Sequence, residues 1–407
     1  MNGIRVNYRG DNLQGADYDS IDNGGRGDAY DTLPGFLPPS GQNPGWPGAI
    51  SNYQKLNYNI VRVHQELGSP YMLDTADELG LMLIGETAIR GSNRNEDFAL
   101  SHDTMINHAK AMVLRDRNHP AIVRWSQSNE PDLGINDSNQ FEQDLFAAIR
   151  GLDATRPVSV DGPTNTYGIK DPNFASFGHY FDGLDHYSEN VHPNTQVPYG
   201  QGEFIWPHDS TTEGLAWFAT AAVSMRRRDA SDLRPYALLS GWASIIPGVQ
   251  HTSMKLEQGS NPVFGEDNLP DPWSSPLITR IQRAYNPLLV ADQDYWEANK
   301  LSNGNGDWPS SVPTVSKGSS NARTLLVFND TFTDTAVTVT WELHMDSATG
   351  ALSSNGMAVL EVPLGSMHTT SINFTAPTSG SKFYLVLRAI KNGVTLFEED
   401  GEYFTLN

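Results

Sequence analysis

The stretch RDRNHPAIVRWSQSNEP, residues 115–131, predicts a buried strand that ends on a carboxylate. It begins with charged residues, continues through the apolar run 121–123, and ends with Asn129, Glu130 and Pro131. A continuous apolar run is typical of a strand covered on both faces, as the strands of parallel sheets are. We therefore expect a parallel strand whose carboxyl end presents Glu130, with the proline fixing the turn that follows.

Seven other segments resemble this strand in length and hydrophobicity. They span residues 4–8, 59–63, 81–86, 156–162, 174–180, 197–204 and 237–243. Helical periodicity lies between several of them, over residues 101–116, 139–153 and 211–230. Eight strands with intervening helices are typical of a (β/α)8 TIM barrel, which is an α/β fold. We predict such a barrel over residues 1–302.

The sequence changes character after residue 302. A linker-like segment rich in Gly, Ser, Asn and Pro is followed by six short strands with alternating hydrophobicity, and helical periodicity is absent. Short strands at regular spacing, separated by turn signals, are typical of an antiparallel β-sandwich. We therefore predict a small all-β, immunoglobulin-like domain over residues 303–407.

The overall composition limits the classes of partner. The 407 residues include 48 acidic and 27 basic side chains, for a formal net charge of −21, which argues against nucleic acid and anionic membrane surfaces. No apolar run approaches the ~18 residues of a membrane span. The absence of cysteine excludes disulfides and thiolate metal sites. No signal peptide is visible, and a soluble protein, secreted or periplasmic with its signal removed, is compatible with the sequence.

A second carboxylate repeats the arrangement of the first. The stretch VPYGQGEFIWP places Glu203 at the end of the seventh predicted strand, beside bulky apolar groups. Side chains at the carboxyl ends of barrel strands line one common site, so Glu130 and Glu203 are expected to face the same pocket. Two carboxylates over one pocket are the usual minimum for glycoside hydrolysis. Glu66 and Glu189 are alternatives to Glu203 if the seventh strand lies elsewhere.

Two blocks of the sequence resemble glycoside hydrolase family 2, whose members have a (β/α)8 catalytic barrel. They are NYNIVRVHQELGSPYMLDTADELGLMLIGE, residues 57–86, and MVLRDRNHPAIVRWSQSNEP, residues 112–131. Weaker similarity covers residues 2–12, residues 240–248 and the C-terminal sandwich. The context of the second carboxylate, GQGEFIWP, differs from that of the family's β-galactosidases.

The resemblance implies a role for individual residues. Glu130 becomes the general acid/base and Glu203 the nucleophile, while Asn129 hydrogen-bonds the sugar 2-hydroxyl and Arg62 orients the nucleophile. Tyr180 is expected beside the nucleophile and Trp242 beneath the sugar. Further candidates for substrate contact, chosen for their positions near strand ends or in loops, are His64, His179, Trp206, Trp46, Asp11 and Asn12.

The predicted function is that of a retaining, exo-acting β-glycosidase acting through a glycosyl-enzyme intermediate. A non-catalytic carbohydrate-binding protein on the same barrel and a transglycosylase remain alternatives. No cofactor and no metal are predicted, and a structural role is expected for Glu86, His119 and Trp125. The expected partner is a carbohydrate, and the sequence does not specify the sugar, the linkage or the oligomeric state.

Overall fold

The computed structural model describes most of the strands and helices. The described residues are 3–13, 45–64, 66–89, 98–129, 138–161, 177–179, 200–204, 222–223, 225–227, 230–235, 257–258, 261–262, 276–299, 309 and 311–407. The chain divides into two compact units. One comprises Tyr8–Gly214 and Ala230–Ser275, and the other comprises Met1–Asn7, Leu215–Asp229 and Pro276–Asn407.

The first unit is built on an eight-stranded sheet in which every neighbouring pair is parallel. Its strands are β1 (Tyr8–Leu13), β2 (Ile60–Val63), β3 (Met82–Glu86), β4 (Ile122–Asn129), β5 (Val158–Asp161), β6 (Phe177–His179), β7 (Gly200–Phe204) and β8 (Asp232–Pro235). The order is β5-β4-β3-β2-β1-β8-β7-β6. Because β1 pairs with β8 and all other neighbours are consecutive, this is the cyclic order of a (β/α)8 barrel.

One of the eight predicted strands was misplaced, and for another the structure describes a strand that begins earlier than expected. The first strand was expected at residues 4–8, but β1 begins at Tyr8 and continues through the polar sequence YRGDNL. The eighth was expected at residues 237–243, which lie outside the described residues, and the strand that pairs with β1 and β7 is Asp232–Pro235. Both strands are rich in polar residues, so local hydrophobicity does not reveal them. In β8, Asp232 and Arg234 are paired with each other and with charged side chains of other strands.

Gly10 allows β1 to approach β2 closely. A Cβ atom at this position would lie 1.8 Å from the carbonyl oxygen of Ile60, a distance that no real contact permits. Gly10 is paired in register with Ile60. A glycine is therefore required for the ladder between these two strands.

Helices cover the sheet of the first unit. They are α1 (Gly45–Lys55), α2 (Pro70–Leu79), α3 (Phe98–Asp116) and α4 (Ser138–Leu152). The predicted helices at 101–116 and 139–153 are confirmed by α3 and α4, whereas the one at 211–230 lies mostly outside the described residues. In α4, Phe141, Leu145 and Ile149 are buried at a spacing of four residues, which is the expected apolar face of an amphipathic helix. A short antiparallel pair, β9 (Glu257–Gln258) and β10 (Asn261–Pro262), completes the unit.

Local sequence signals set both ends of α2. The hydroxyl of Ser69 accepts a hydrogen bond from the backbone N–H of Met72 at 3.1 Å, and Pro70 occupies the first helical position. At the other end Gly80 has φ +82° and its N–H donates to the carbonyl of Ala76. A glycine suits this left-handed position because it has no Cβ.

The second unit contains two sheets. Its elements are α5 (Pro276–Ala284), β11 (Leu288–Asp292), α6 (Gln293–Ala298), β12 (Thr314–Val315), β13 (Ser320–Asn329), β14 (Ala336–Met345), β15 (Leu352–Glu361), β16 (Ser366–Thr375), β17 (Lys382–Lys391) and β18 (Val394–Leu406). One sheet has the order β11-β13-β16 and the other β12-β18-β17-β14-β15. All pairs are antiparallel except β12 with β18. The six strands predicted after residue 320 are confirmed.

Aromatic side chains connect the two sheets of this unit. Phe374 of β16 packs edge-on against Phe383 of β17, with ring centroids 5.9 Å apart, and lies 6.1 Å from Trp341 of β14. These contacts support the predicted β-sandwich. The immunoglobulin-like class and the domain boundary after residue 302 stay predictions. Within the described residues, the helices are too short or too polar to cross a membrane.

A bulge in β18 turns two glutamates towards the interior of this unit. The register with β17 pairs Leu387 with Glu399 and Leu385 with Glu402, so an extra residue of β18 lies between these pairs. Glu399 and Glu402 therefore face the same side as two core leucines, and both are buried. Burial raises the pKa of Glu402 well above its ordinary value, and the neighbouring Asp292 carboxylate adds to the shift.

The buried glutamate predicts a pH-dependent stability. Because the folded-state pKa of Glu402 is raised, the folded protein binds more protons than the unfolded chain. The stability contributed by this residue is therefore full below its unfolded pKa, about 4.3, and decreases as the pH rises through the folded-state pKa. We expect Glu402→Gln to raise the melting temperature at pH 8 but not at pH 4. Glu398→Gln, at an exposed neighbouring position, is the matched control; equal pH profiles for the Glu402→Gln variant and wild type would contradict the assignment.

Candidate active site

Arg62 is the centre of a buried polar cluster at the carboxyl ends of the parallel strands. Its Nε donates to Glu86 Oε2 at 2.6 Å and its Nη2 donates to Glu86 Oε1 at 3.0 Å. Both side chains are fully buried. A bidentate guanidinium–carboxylate pair fixes both groups in orientation, so β2 and β3 present a rigid base for anything that binds above them.

Two asparagine side chains accept hydrogen bonds from the guanidinium group of Arg62. Nη2 of Arg62 donates to Asn129 Oδ1 at 2.6 Å, and Nη1 donates to Asn12 Oδ1 at 3.2 Å. Asn129 is the last residue of β4, directly before Glu130. Because its amide oxygen accepts from Arg62, the amide nitrogen Nδ2 points to the other side. Asn129 is thus oriented as a hydrogen-bond donor.

A second arginine continues the cluster below the first. Nη1 of Arg234 donates to Asn12 Oδ1 at 3.1 Å, and Nη2 donates to Asp161 Oδ1 at 2.9 Å. Its Nε donates to Asp232 Oδ1 at 2.9 Å, and the other oxygen of Asp232 accepts from Arg124 at 2.8 Å. All of these side chains are buried. The described interior of the sheet therefore holds three guanidinium groups against the three carboxylates of Glu86, Asp161 and Asp232.

Glu86, for which a structural role was predicted, is held by side chains of two neighbouring strands. Besides Arg62 it accepts a hydrogen bond from the hydroxyl of Ser126 at 2.6 Å. Burial raises the pKa of Glu86, and Asp161 adds to the shift, whereas the charge of Arg62 opposes both. Both oxygens of Glu86 thus accept hydrogen bonds from side chains of neighbouring strands, which supports the predicted structural role.

The remaining described candidates lie beside this cluster. Asp11 and Asn12, expected just after the first strand, are buried within β1, and the Asp11 carboxylate accepts the backbone N–H of Asn12 at 2.9 Å. His64 is buried directly after β2, with Nδ1 3.9 Å from Glu86 Oε1. The structure therefore brings Arg62, Asn129 and Asn12 into direct contact and places His64 at their edge.

The other candidates fall partly or wholly outside the described residues. Glu203 lies in β7, as predicted, and its backbone is in register with His179 of β6. Of these two residues only the backbone is described. Glu130, Tyr180, Trp206 and Trp242 lie outside the described residues. The assignment of the two catalytic carboxylates thus stays a prediction.

Two tryptophans with different predicted roles, Trp125 and Trp46, are both buried. Trp125 was expected in the core, and it is fully buried with its indole N–H donating to Asp153 at 2.9 Å. Trp46 was a candidate for stacking on a sugar, but it lies at the start of α1 and is only 2% exposed. The stacking role of Trp46 was therefore wrong, because the helix directs this ring into the protein.

A group of side chains with ligand atoms for a cation lies at the opposite end of β4. Among the described residues, one oxygen or nitrogen atom each from Asp74, Asp77 and His119 lies within 4.8 Å of the others. His119 Nδ1 is 2.7 Å from Asp77, whose other oxygen accepts the backbone N–H of Ala121. These contacts connect α2 to the start of β4, so the structural role predicted for His119 is supported and no metal is assigned.

Sequence reasoning missed the lower part of the cluster. Asp161, Asp232, Arg234 and Arg124 were not identified, although each lies within a strand. The available signal was a charged residue inside an otherwise strand-like segment, as in IVRW and SVD. Such a charge inside a parallel strand has no access to water and requires a partner from another strand.

Comparison with known proteins gives one family match and several partial relatives. Residues 50–212 match the family described as "Glycosyl hydrolases family 2, TIM barrel domain". The chain is 29% identical to mouse β-glucuronidase over 120 residues, which are 28% of this chain and 18% of that protein. It is 32% identical to a β-galactosidase of Vibrio vulnificus over 114 residues, 27% of this chain and 11% of that protein. The aligned part therefore spans less than a fifth of either relative.

Solved structures support the fold. A β-D-mannosidase from Dictyoglomus thermophilum aligns with 98% of this chain and 50% of its own, with a TM-score of 0.57 at 14% identity. The exo-chitosanase CsxA from Amycolatopsis orientalis aligns with 98% of this chain and 48% of its own, with a TM-score of 0.56 at 13% identity. These likenesses show the fold, and the resemblance to family 2 is supported by the family match over residues 50–212.

The pair of Arg62 and Glu86 predicts a large loss of stability when one partner is neutralised. Glu86→Gln keeps the size of the side chain but leaves the buried guanidinium without its bidentate carboxylate. We expect the free energy of unfolding to fall by about 3–5 kcal/mol in urea denaturation. Glu78→Gln, on the exposed side of α2, should change it by no more than about 0.5 kcal/mol. A loss below about 1 kcal/mol for the Glu86→Gln variant would show that the cluster does not depend on this pair.

Proposed function

From the match of residues 50–212 to the family 2 barrel, we propose that this chain carries the catalytic core of a retaining β-glycosidase. Its reaction is the hydrolysis of O-glycosidic bonds in oligo- or polysaccharides, with exo action and a glycosyl-enzyme intermediate. The observation that carries the proposal is the contact of Arg62 with Asn129, because it orients a hydrogen-bond donor directly before Glu130 at the carboxyl end of β4.

The reaction needs two carboxyl groups in different protonation states. In the first step a Glu203 oxygen attacks the anomeric carbon, and the leaving oxygen takes the proton of Glu130. In the second step Glu130, now ionised, removes a proton from water, whose oxygen attacks the same carbon and releases Glu203. Retention requires the two carboxyl groups to lie roughly 5–5.5 Å apart, since the nucleophile must reach the carbon directly.

The described cluster supplies the positioning that this chemistry needs. Asn129 donates from Nδ2 to the 2-hydroxyl of the sugar, a contact that strengthens in the transition state. Arg62 holds the amide in that orientation, and Glu86 and Asn12 hold Arg62. Because every member is buried, the donor is fixed before substrate binds and costs no reorganisation during the reaction.

Trapping the intermediate tests the proposal. Treatment with 2-deoxy-2-fluoro-β-glycosides of glucose, galactose, mannose and glucuronic acid should add the mass of one fluorosugar to the intact chain with at least one of them. Peptide mapping should place the label on Glu203. A label on Glu66 or Glu189 would retain the mechanism and reassign the nucleophile. Binding of sugars without label or turnover would instead favour a non-catalytic carbohydrate-binding protein, and sugar transfer to added acceptors would indicate a transglycosylase.

Substitution of Asn129 separates its two roles. Asn129→Asp keeps an oxygen that accepts from Arg62 but replaces the Nδ2 donor. We expect kcat/KM for an aryl β-glycoside to fall about 10²–10³-fold, the usual effect of losing one preorganised donor, with circular dichroism confirming that the variant folds. Asn59→Asp, whose Oδ1 accepts the backbone N–H of Arg9, is the matched control. Unchanged kinetics for the Asn129→Asp variant would exclude the donor role.

A further inference from the structure

The strand β4 contains a β-bulge just before its carboxyl end. In the pairing of β4 with β5, Ser126 lies opposite Ser159, and Asn129 lies opposite Asp161. Three steps along β4 therefore match two steps along β5, so β4 carries one extra residue between these two pairs. Bulges of this kind change the direction of a side chain and are frequent beside active sites.

This bulge decides the direction in which the Asn129 side chain points. Side chains of a regular strand alternate between the two faces of the sheet, so Asn129 would face away from Ser126, three residues earlier. The extra residue brings both onto one face. The hydroxyl of Ser126 donates to Glu86 Oε2 at 2.6 Å, and Asn129 Oδ1 accepts from Arg62 at 2.6 Å. Because Glu86 and Arg62 are bonded to each other, the two β4 side chains contact the same ion pair.

Glu142 of α4 holds the side chains of the two residues inside the bulge. Its Oε2 accepts a hydrogen bond from Gln127 Nε2 at 2.7 Å and another from the hydroxyl of Ser128 at 2.8 Å. Two consecutive side chains thus reach one oxygen atom of a helix, so both point to the helix side of the sheet. All three side chains are buried, and water does not compete for these hydrogen bonds.

The backbone of the bulge is bonded to residues that follow β3. The hydroxyl of Thr87, which is buried, donates to the carbonyl oxygen of Gln127 at 2.6 Å. The backbone N–H of Asn129 donates to the carbonyl oxygen of Ile89 at 2.9 Å. A bulge takes backbone groups out of the regular ladder, and these two contacts satisfy them. The backbone is therefore held from β3, while Glu142 holds the side chains.

We propose that Glu142 is a positioning residue of the candidate active site. By holding Gln127 and Ser128 on the helix side, it stabilises the bulge that directs Asn129 towards Arg62 and the interior of the barrel. Glu142 has no contact with the sugar in this arrangement and acts on it only through Asn129. The inference rests on the proposed function for the contact of Asn129 with the 2-hydroxyl, whereas the geometry of the bulge is independent of it.

Crystal structures of variants of the full chain test the geometry without any turnover. In Glu142→Ala we expect the contact of Asn129 Oδ1 with Arg62 Nη2 to be lost. Glu142→Gln should keep this contact, because its amide oxygen accepts the same two hydrogen bonds. Leu145→Ala, which removes another fully buried side chain of α4, is the control for a general loss of stability and should keep the contact. A retained contact in the Glu142→Ala variant, or its loss in the Leu145→Ala variant, would overturn the proposal.

Kinetics with 4-nitrophenyl β-glycosides of glucose, galactose, mannose and glucuronic acid, each beside its 2-deoxy counterpart, measure the same effect during turnover. Glu142→Ala should lower the ratio of kcat/KM for the 2-hydroxy substrate to kcat/KM for the 2-deoxy substrate at least about tenfold, because the donor to the 2-hydroxyl is misdirected. Leu145→Ala should leave this ratio within about twofold of wild type, since a loss of folded enzyme lowers both values equally.

Two further variants separate the possible outcomes. A ratio that falls in Asn129→Asp but not in Glu142→Ala would refute the role of Glu142 and retain the proposed function, whereas an unchanged ratio in both would refute the donor role of Asn129 itself. If Glu142→Ala does not fold, Ser128→Ala removes one of the two hydrogen bonds with little change in volume. It should lower the ratio about threefold or more, and an unchanged ratio would contradict the proposal.

Discussion

Burying an arginine inside a parallel sheet is the constraint on which the first unit depends. Arg62, Arg124 and Arg234 have no access to water, so each requires carboxylates on neighbouring strands. Glu86, Asp161 and Asp232 meet this need from β3, β5 and β8. The same hydrogen bonds that satisfy the charges hold the strands in register and orient Asn12 and Asn129. The same set of hydrogen bonds therefore compensates the buried charges, holds the strands together and determines the geometry of the candidate site.

The sequence predicted those strands that are apolar in their own residues. The segments around β2 and β3 are mostly apolar, and the structure places both strands within one residue of the expected bounds. The strand β4 begins in the apolar run 121–123 and ends at Asn129. The strands β1 and β8 could not be found in this way, because YRGDNL and DLRP are buried through partners far away in sequence. Periodicity reports the local environment, whereas compensation of charge is a long-range property.

The residues of the candidate site likewise divide into those that a local motif identifies and those that depend on partners distant in sequence. Arg62 and Asn129 could be identified as candidates from their resemblance to a family motif, and the structure adds that the guanidinium of Arg62 donates a hydrogen bond to Asn129. The contribution of Asp161, Asp232 and Arg234 could not, because each alone resembles an ordinary polar residue near a strand end. Trp46 was misjudged for a related reason: its position beside a loop suggested exposure, but the helix that begins there turns the ring inward.

The cluster around Arg62 also gives the barrel a particular response to heat. Hydration of charged groups carries a strongly negative entropy, so the cost of removing a guanidinium and a carboxylate from water falls as the temperature rises. Apolar burial does not gain in the same way, since its benefit per unit area levels off. The free-energy cost of burying the three arginines and their carboxylates is therefore largest at low temperature. They become progressively less costly on warming, so the interior is better suited to warm than to cold conditions.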